Sequence, residues 1–128
     1  MSVDPRYSKP DMYIVTPRVP RQPPGLKNYF TEMTRKAEEM GYDRAWNIET
    51  NDRDAFAQST LQAVGSSSIR VGTNIVSYFS RTPTLLAMGA FALDELSDGR
   101  FILGIGPGGT QIITHGHGIE FKRPVQRC

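Results

Sequence analysis

The chain has 128 residues, of which 38% are hydrophobic and 22% charged, with a formal net charge of +2. This length suits one domain with a core of its own, and the balance excludes a disordered chain. So small a charge, with basic clusters only at Arg18/Arg21 and Lys122/Arg123, makes no electrostatic case for nucleic acid, and no apolar run approaches the roughly 20 residues of a bilayer span. The start of the chain lacks a basic stretch followed by an apolar one, and the single cysteine, Cys128, closes no internal disulfide, so a cytoplasmic protein is expected.

Residues 1–25 hold six of the nine prolines and read as loop, apart from a short first strand at Met12–Val15 that ends at Thr16-Pro17. A helix follows, with Leu26, Tyr29, Phe30, Met33, Ala37 and Met40 on one face and Gly41 as its left-handed cap. Residues 44–48 form the second strand. Asp52 or Asp54 caps the next helix, whose apolar positions are Phe56, Ala57, Thr60, Leu61 and Val64, and residues 65–68 break it. The third strand runs from Ile69 to about Val76. Thr82-Pro83 opens a third helix carrying Leu85, Leu86, Met88, Ala92, Leu93 and Leu96, and Ser97-Asp98-Gly99 ends it. Arg100 to Ile105 is the fourth strand, and little periodicity follows Gly106. Strand–helix alternation at this spacing implies a parallel α/β sheet, either a small doubly wound sheet or part of a barrel. A whole (β/α)₈ barrel needs about 250 residues, so this chain supplies about half of one.

Ligands of parallel α/β folds bind at the carboxyl ends of the strands. The residues to inspect are therefore Thr16-Pro17, Glu49-Thr50-Asn51, Asn74 to Ser77 and Gly106 to Thr110. Gly104-Ile105-Gly106-Pro107-Gly108-Gly109 matches a dinucleotide fingerprint in its glycines. That fingerprint also requires a helix from Gly108 and an acidic residue about 20 positions on, so a strand-end loop is the expected reading. His115 and His117 lie among glycines without other ligands at metal spacing, and exposed loop histidines are expected there. Glu49 closes the second strand, where its carboxylate either bonds a ligand or pairs with an arginine. Neither a G-x-S-x-G elbow, nor H-E-x-x-H, nor a complete phosphate-binding Walker loop is present. These residues by themselves imply a ligand site at the strand ends and name no reaction.

Several passages are more specific. Residues 37–46, Ala-Glu-Glu-Met-Gly-Tyr-Asp-Arg-Ala-Trp, resemble the helix-to-strand passage of luciferase-like monooxygenases. Residues 69–75 followed by Arg81-Thr82-Pro83 are similar to that family's third strand and third helix start. The S-x-G-R-F-x-L-G-x-G wording from Ser97 to Gly106 is the most characteristic piece, and Phe121-Lys122-Arg123-Pro124 with Arg127 is also similar. The resemblance covers residues 26–127 and matches the first 25 only weakly. Residues 1–25 stand apart as the Pro-rich N-terminal segment with its first strand, and over 26–128 the resemblance implies parallel (β/α) units forming the N-terminal half of a TIM barrel, truncated.

What the resemblance implies further is an oxidoreductase that binds the deazaflavin coenzyme F-420 or FMN at the strand ends and transfers hydride at the ring or, with FMN, activates oxygen. The segments look closest to the F-420-dependent branch. The cofactor half-site would comprise Glu49, Asn74, Ile75, Val76 and Gly106, and no metal is implied. Family members place a non-prolyl cis peptide behind the flavin ring, and the matching bond is Asn74–Ile75. Two departures bear on the chemistry. Thr50 and Asn51 stand where the luciferases proper carry histidines after the glutamate, and Pro107, Gly108 and Gly109 stand where the sugar dehydrogenases carry an acidic residue. No catalytic residue and no substrate are therefore assigned.

On the same resemblance, loops of the later strands, which hold the cofactor phosphate in the family, are expected to be missing. The chain reads as truncated at Arg127-Cys128, and by itself is expected to be inactive. Open first and fourth strands with exposed apolar inner faces would favour a homodimer through the barrel edges. The alternative function is thus a remnant half-barrel acting as a binding or dimerisation module.

Overall fold

The computed structural model describes residues 9–13 and 26–128. Strand β1 (Asp11–Tyr13) is followed by helix α1 (Leu26–Glu39), β2 (Arg44–Asn47), α2 (Ala55–Val64) and β3 (Arg70–Thr73). Then come β4 (Val76–Ser77), α3 (Pro83–Leu96), β5 (Phe101–Ile102), β6 (Ile105–Gly106), a π-helical turn (Ile112–Gly116) and α4 (Pro124–Arg127). Strands β1, β2, β3 and β5 lie side by side in sequence order, all parallel, and β4 pairs with β6 in a second parallel ladder. Sequential parallel strands joined by helices are what repeated β/α units build. The expected Ile14–Val15 part of the first strand and Thr16-Pro17 lie outside the described residues.

Alternation along the strands assigns the faces. Ala45 and Val71 are fully buried with Phe30, Ala37, Ala63 and Ile69 in the layer between sheet and helices. Trp46 lies on the opposite face, over Gly72, where a Cβ would come within 2.6 Å of its ring. That inner face is not the bare apolar surface expected from the sequence. Arg44 pairs with Asp11 and Asp43, Asp43 also binds Arg70, and the Trp46 indole N–H donates to Asp11 at 3.1 Å. Among the described residues, β1 and β5 each have one strand neighbour.

The helices begin and end as the capping residues dictate. Asp54, not Asp52, caps α2 by accepting the Ala57 N–H at 2.9 Å, while Asp52 takes the Thr50 hydroxyl. Thr82 caps α3 ahead of Pro83. Which side each helix buries is less obedient to hydrophobicity. In α2 the buried residues are Ala55, Gln58, Ser59, Gln62 and Ala63, whereas Val64, expected inside, is 61% exposed. The reason is a polar partner on the sheet: the buried Asn47 amide donates to Ser59 Oγ at 2.7 Å and Gln62 Oε1 at 2.8 Å. Met40 lies beyond the end of α1 and is exposed, and α3 buries Leu86 and Leu93 but leaves Leu85, Met88 and Leu96 outside.

Two expected continuous strands are each broken. The stretch from Ile69 to Val76 divides into β3 and β4 at the Asn74–Ile75 peptide, which is cis, as the resemblance implied. Arg100 to Ile105 divides into β5 and β6 around Gly104, whose missing Cβ would lie 2.0 Å from the Thr73 carbonyl oxygen. Beyond Gly106 the expected irregular stretch instead forms the π-helical turn and α4. Tyr78 reaches α4 through its hydroxyl, which donates to the Pro124 carbonyl at 3.0 Å, and Phe79 stacks on Phe121 at 4.7 Å.

Glu38 fastens α1 to the start of β3. Its carboxylate accepts from the N–H groups of Ser67, Ser68 and Ile69 and from the Ser67 and Ser68 hydroxyls. Burial pushes this carboxyl up, but the Ile69 and Ser68 hydrogen bonds, followed by that of Ser67, outweigh it and hold its pKa down to about 2. A depressed folded pKa means stabilisation that is full above the ordinary value of 4.5 and is lost as pH falls through about 2. Glu38→Gln is expected to lose about 1–2 kcal/mol at pH 6, discounted because the group is largely solvated. Urea unfolding at pH 6 and pH 2.5 checks this: the difference between wild type and variant should shrink at the lower pH, and an equal difference at both would refute the role of the charge.

Candidate active site

The carboxyl ends of β2, β4 and β6 meet at a cleft of about 340 Å³. Its walls are mainly apolar, formed by Ile48 after β2, Ile75 after β3, and Ile112 and Ile113 of the π-helical turn. Pro107, Gly108 and Gly109 form the rim after β6, and Glu49, Ser77 and His117 supply the polar groups. The Glu49 N–H donates to the Ile75 carbonyl at 3.3 Å, which ties the end of β2 to the cis peptide. The Ser77 hydroxyl donates to the Pro107 carbonyl at 2.9 Å and fastens β4 to the glycine loop. Gly108, at φ +76°, adopts the left-handed region that glycine enters without penalty.

Glu49 is the charged group of the cleft. Arg81, just ahead of α3, donates to Glu49 Oε1 at 2.6 Å and also to Asp54, and its guanidinium lies 5.0 Å from the centre of the Phe56 ring. The Ser77 N–H donates to the other oxygen, Glu49 Oε2, at 3.2 Å. Burial opposes the charge on Arg81, yet Glu49 and Asp54 together raise its pKa further. Asp54 is held below the usual carboxylate range: burial raises it, and the Ala57 N–H and Arg81 more than compensate. Of the two readings for Glu49, pairing with an arginine is therefore present, and the carboxylate still borders the cleft.

The expected site residues separate on this geometry. Glu49 and Ile75 line the cleft together. Asn74 is exposed at the strand break, and its N–H donates to the Asn47 carbonyl at 2.7 Å. Val76 is fully buried with Ala55 and Leu86 on the helix side, so its side chain is not part of the cleft. Gly106 is buried directly behind Ile75, where a Cβ would approach that side chain to 3.1 Å. His115 and His117 are both exposed, and His117 contributes to the cleft wall. Ser77 lies in a stretch that the sequence marked for its strand-end position, whereas sequence reasoning missed Arg81 as the partner of Glu49 and the isoleucines of the turn. An arginine four residues after the end of β4 carries no spacing signal, since its partners are 32 and 27 positions away.

The S-x-G-R-F-x-L-G-x-G stretch proves to be a device for delivering Gly106. The Ser97 hydroxyl donates to the Asp94 carbonyl and accepts the Arg100 N–H, both at 3.2 Å, across the left-handed Asp98 and Gly99. Arg100 then donates to the carbonyls of Ala63, Ser66 and Ile69 and to the Ser66 hydroxyl, capping the end of α2. Phe101 packs toward Phe56, with ring centres 6.1 Å apart. The glycine run that follows leads only into the short helical turn and, among the described residues, no further strand. A dinucleotide fingerprint is not completed.

A family model described as luciferase-like monooxygenase matches residues 12–128. A candidate coenzyme F-420-dependent oxidoreductase of Mycobacterium tuberculosis is 36% identical over 106 residues, 83% of this chain and 30% of that protein. The chain thus spans under a third of that relative's length. The coenzyme F-420-dependent tetrahydromethanopterin reductase of Methanopyrus kandleri superposes with a TM-score of 0.67 at 25% identity, over 86% of this chain and 29% of that one. The oxygenating constituent of 3,6-diketocamphane monooxygenase from Pseudomonas putida, solved with FMN, gives a TM-score of 0.80 at 18% identity, over 93% and 36% of the two chains. Its likeness is one of fold, and these neighbours are TIM barrels. A match that runs from Met12 to the last residue decides the assignment: the chain belongs to the luciferase-like monooxygenase family.

Proposed function

We propose that this chain supplies the N-terminal part of a flavin- or deazaflavin-dependent oxidoreductase site, in which the ring of F-420 or FMN lies in the cleft between Ile75 and the π-helical turn. The observation that carries this reading is the cleft itself: isoleucine walls, a rim of Pro107 and two glycines, and one ordered carboxylate at its polar end. Small-molecule sites occupy about 300–1,000 Å³ with mostly apolar walls and a few placed polar groups, so this cleft suits a planar ring system rather than an entire coenzyme. Such a ring, when bound, supplies hydride acceptance or donation. Ile75, with Gly106 packed behind it, would back such a ring, Ile112 and Ile113 would exclude water from it, and Glu49 would offer an acceptor to an N–H at its edge. F-420 is favoured by the Mycobacterium relative's name and FMN by the Pseudomonas structure. A cytoplasmic location is part of the same proposal. No helix among the described residues is long and apolar enough to cross a membrane.

Titration of the purified chain with F-420 and with FMN, followed by ligand fluorescence and circular dichroism together, tests it. Saturable micromolar binding of either is the expected result. A folded chain that binds neither would refute the reading and favour a binding or dimerisation module, for which the one-sided pairing of β1 and β5 is the supporting observation. Sedimentation of the same sample then distinguishes a monomer from a dimer joined through those edges.

A further inference from the structure

Arg81 joins two parts of the strand-end surface that lie far apart in the chain, the β2–α2 loop and the start of α3. Its guanidinium binds Glu49 beyond β2 and Asp54 at the start of α2, while its own backbone enters α3, and the face of the Phe56 ring lies beside it. Its side chain is 22% exposed and that of Glu49 13%, so solvent screens the pair only partly. Glu49 itself stands on a flexible stem at the edge of an apolar cleft, where water alone would not define its orientation.

Two directional contacts do define it. Arg81 takes one carboxylate oxygen, and the Ser77 N–H takes the other. The ladder between β4 and β6 uses the N–H groups of Val76 and Tyr78, which donate to Gly104 and Gly106. That leaves the intervening Ser77 N–H pointing away from β6 and toward Glu49. Both bonds leave one nitrogen, Arg81 Nη2, whose two N–H directions are fixed in the guanidinium plane and divided between Glu49 and Asp54, so the group fixes orientation as well as charge, which a freely rotating ammonium does less well. Arg81 does not line the isoleucine cleft; it reaches that space only through Glu49.

We propose that Arg81 is the positioning residue of this cleft: it holds the Glu49 carboxylate against the Ser77 amide, so that Glu49 presents one fixed acceptor to the edge N–H of a bound planar ring. The inference rests on the reading that the cleft takes such a ring. It adds the selection rule that the ring must carry a hydrogen-bond donor at the edge facing Glu49.

Two measurements test it separately. Amide hydrogen exchange of the free protein reads the positioning directly. Arg81→Met should accelerate exchange at Ser77 about tenfold while Val71 and Gly72 in β3 stay unchanged, and Arg81→Lys should do so less. Equal acceleration at all three sites would mean a general loss of stability and overturn the proposal, as would an unchanged Ser77. If Arg81→Met does not fold, Arg81→Lys, which keeps the charge and loses the fixed N–H directions, is read in the same way. FMN and F-420 titrations read the consequence. Arg81→Met should weaken ring binding about tenfold in the wild-type background and not at all when Glu49→Gln is already present. The same weakening in both backgrounds would show that Arg81 acts on the ligand by another route and would overturn the proposal. A chain that binds neither coenzyme would remove the ring-site reading and the selection rule with it, while the exchange experiment would still decide whether Arg81 holds Glu49.

Discussion

Gly104→Ala is expected to destabilise the protein by about 3 kcal/mol or more, a large share of the roughly 5–15 kcal/mol that holds a domain folded. The added methyl would lie 2.0 Å from the Thr73 carbonyl oxygen and 3.2 Å from its carbon. Both are backbone atoms, so no flexible side chain can swing aside. The Thr73 hydroxyl also donates to the Gly104 carbonyl and accepts its N–H, at 2.9 and 3.0 Å, which locks the two segments face to face. Relief requires moving β5 away from β3 and would carry β6 and the cleft rim with it. Gly109→Ala is the matching control, because a Cβ there meets nothing nearer than 3.8 Å. Thermal and urea unfolding of the two variants should differ clearly. Similar midpoints would show that the close approach at Gly104 is not what the stability depends on.

Asn47→Leu is expected to cost about 3 kcal/mol, even though leucine is apolar and of similar size. Asn47, Ser59 and Gln62 are all fully buried, and the Asn47 amide is the donor that serves both partners. Removing it strands the Ser59 hydroxyl and the Gln62 amide oxygen away from water. The penalty lies in those stranded groups rather than in the hydrogen bonds as such. The triple variant Asn47→Leu, Ser59→Ala, Gln62→Leu should therefore recover most of the loss, because replacing all partners by apolar groups is close to neutral. Urea denaturation of the single and triple variants gives the comparison. A triple variant less stable than the single one would instead assign the polar cluster a net stabilising role.

The same cluster shows how far hydrophobic periodicity reaches. It located α2 and its cap region, but placed Val64 inside and overlooked Gln58 and Gln62, because amphipathicity assumes that the buried face is the apolar one. Here the sheet offers Asn47, and the Gln58 amide donates to the Ile48 carbonyl at 3.2 Å, so polar residues face inward. The inner face of the sheet erred in the other direction. It was expected to be apolar, yet Arg44 pairs there with Asp11 and Arg70 with Asp43, 33 and 27 positions apart, a separation that hides both pairs in the sequence.

What the sequence by itself determined is the order of strands and helices, the cap at Thr82, the parallel α/β class and, through the passages from residue 37 to Gly106, the family. These are local properties: propensity, capping and wording are all carried by residues close in the chain. It also drew attention to Glu49, by its place at the end of the second strand, and to Ile75 and the position of the cis peptide, by resemblance. Only the tertiary structure decided where the strands break, that Val76 turns into the helix-side core, and that Arg81 is the partner of Glu49. Each of these depends on atoms ten or more positions apart being brought together, 31 in the case of Thr73 and Gly104. Contacts of that kind are set by how the β/α units pack, and no spacing along a single chain encodes them in readable form.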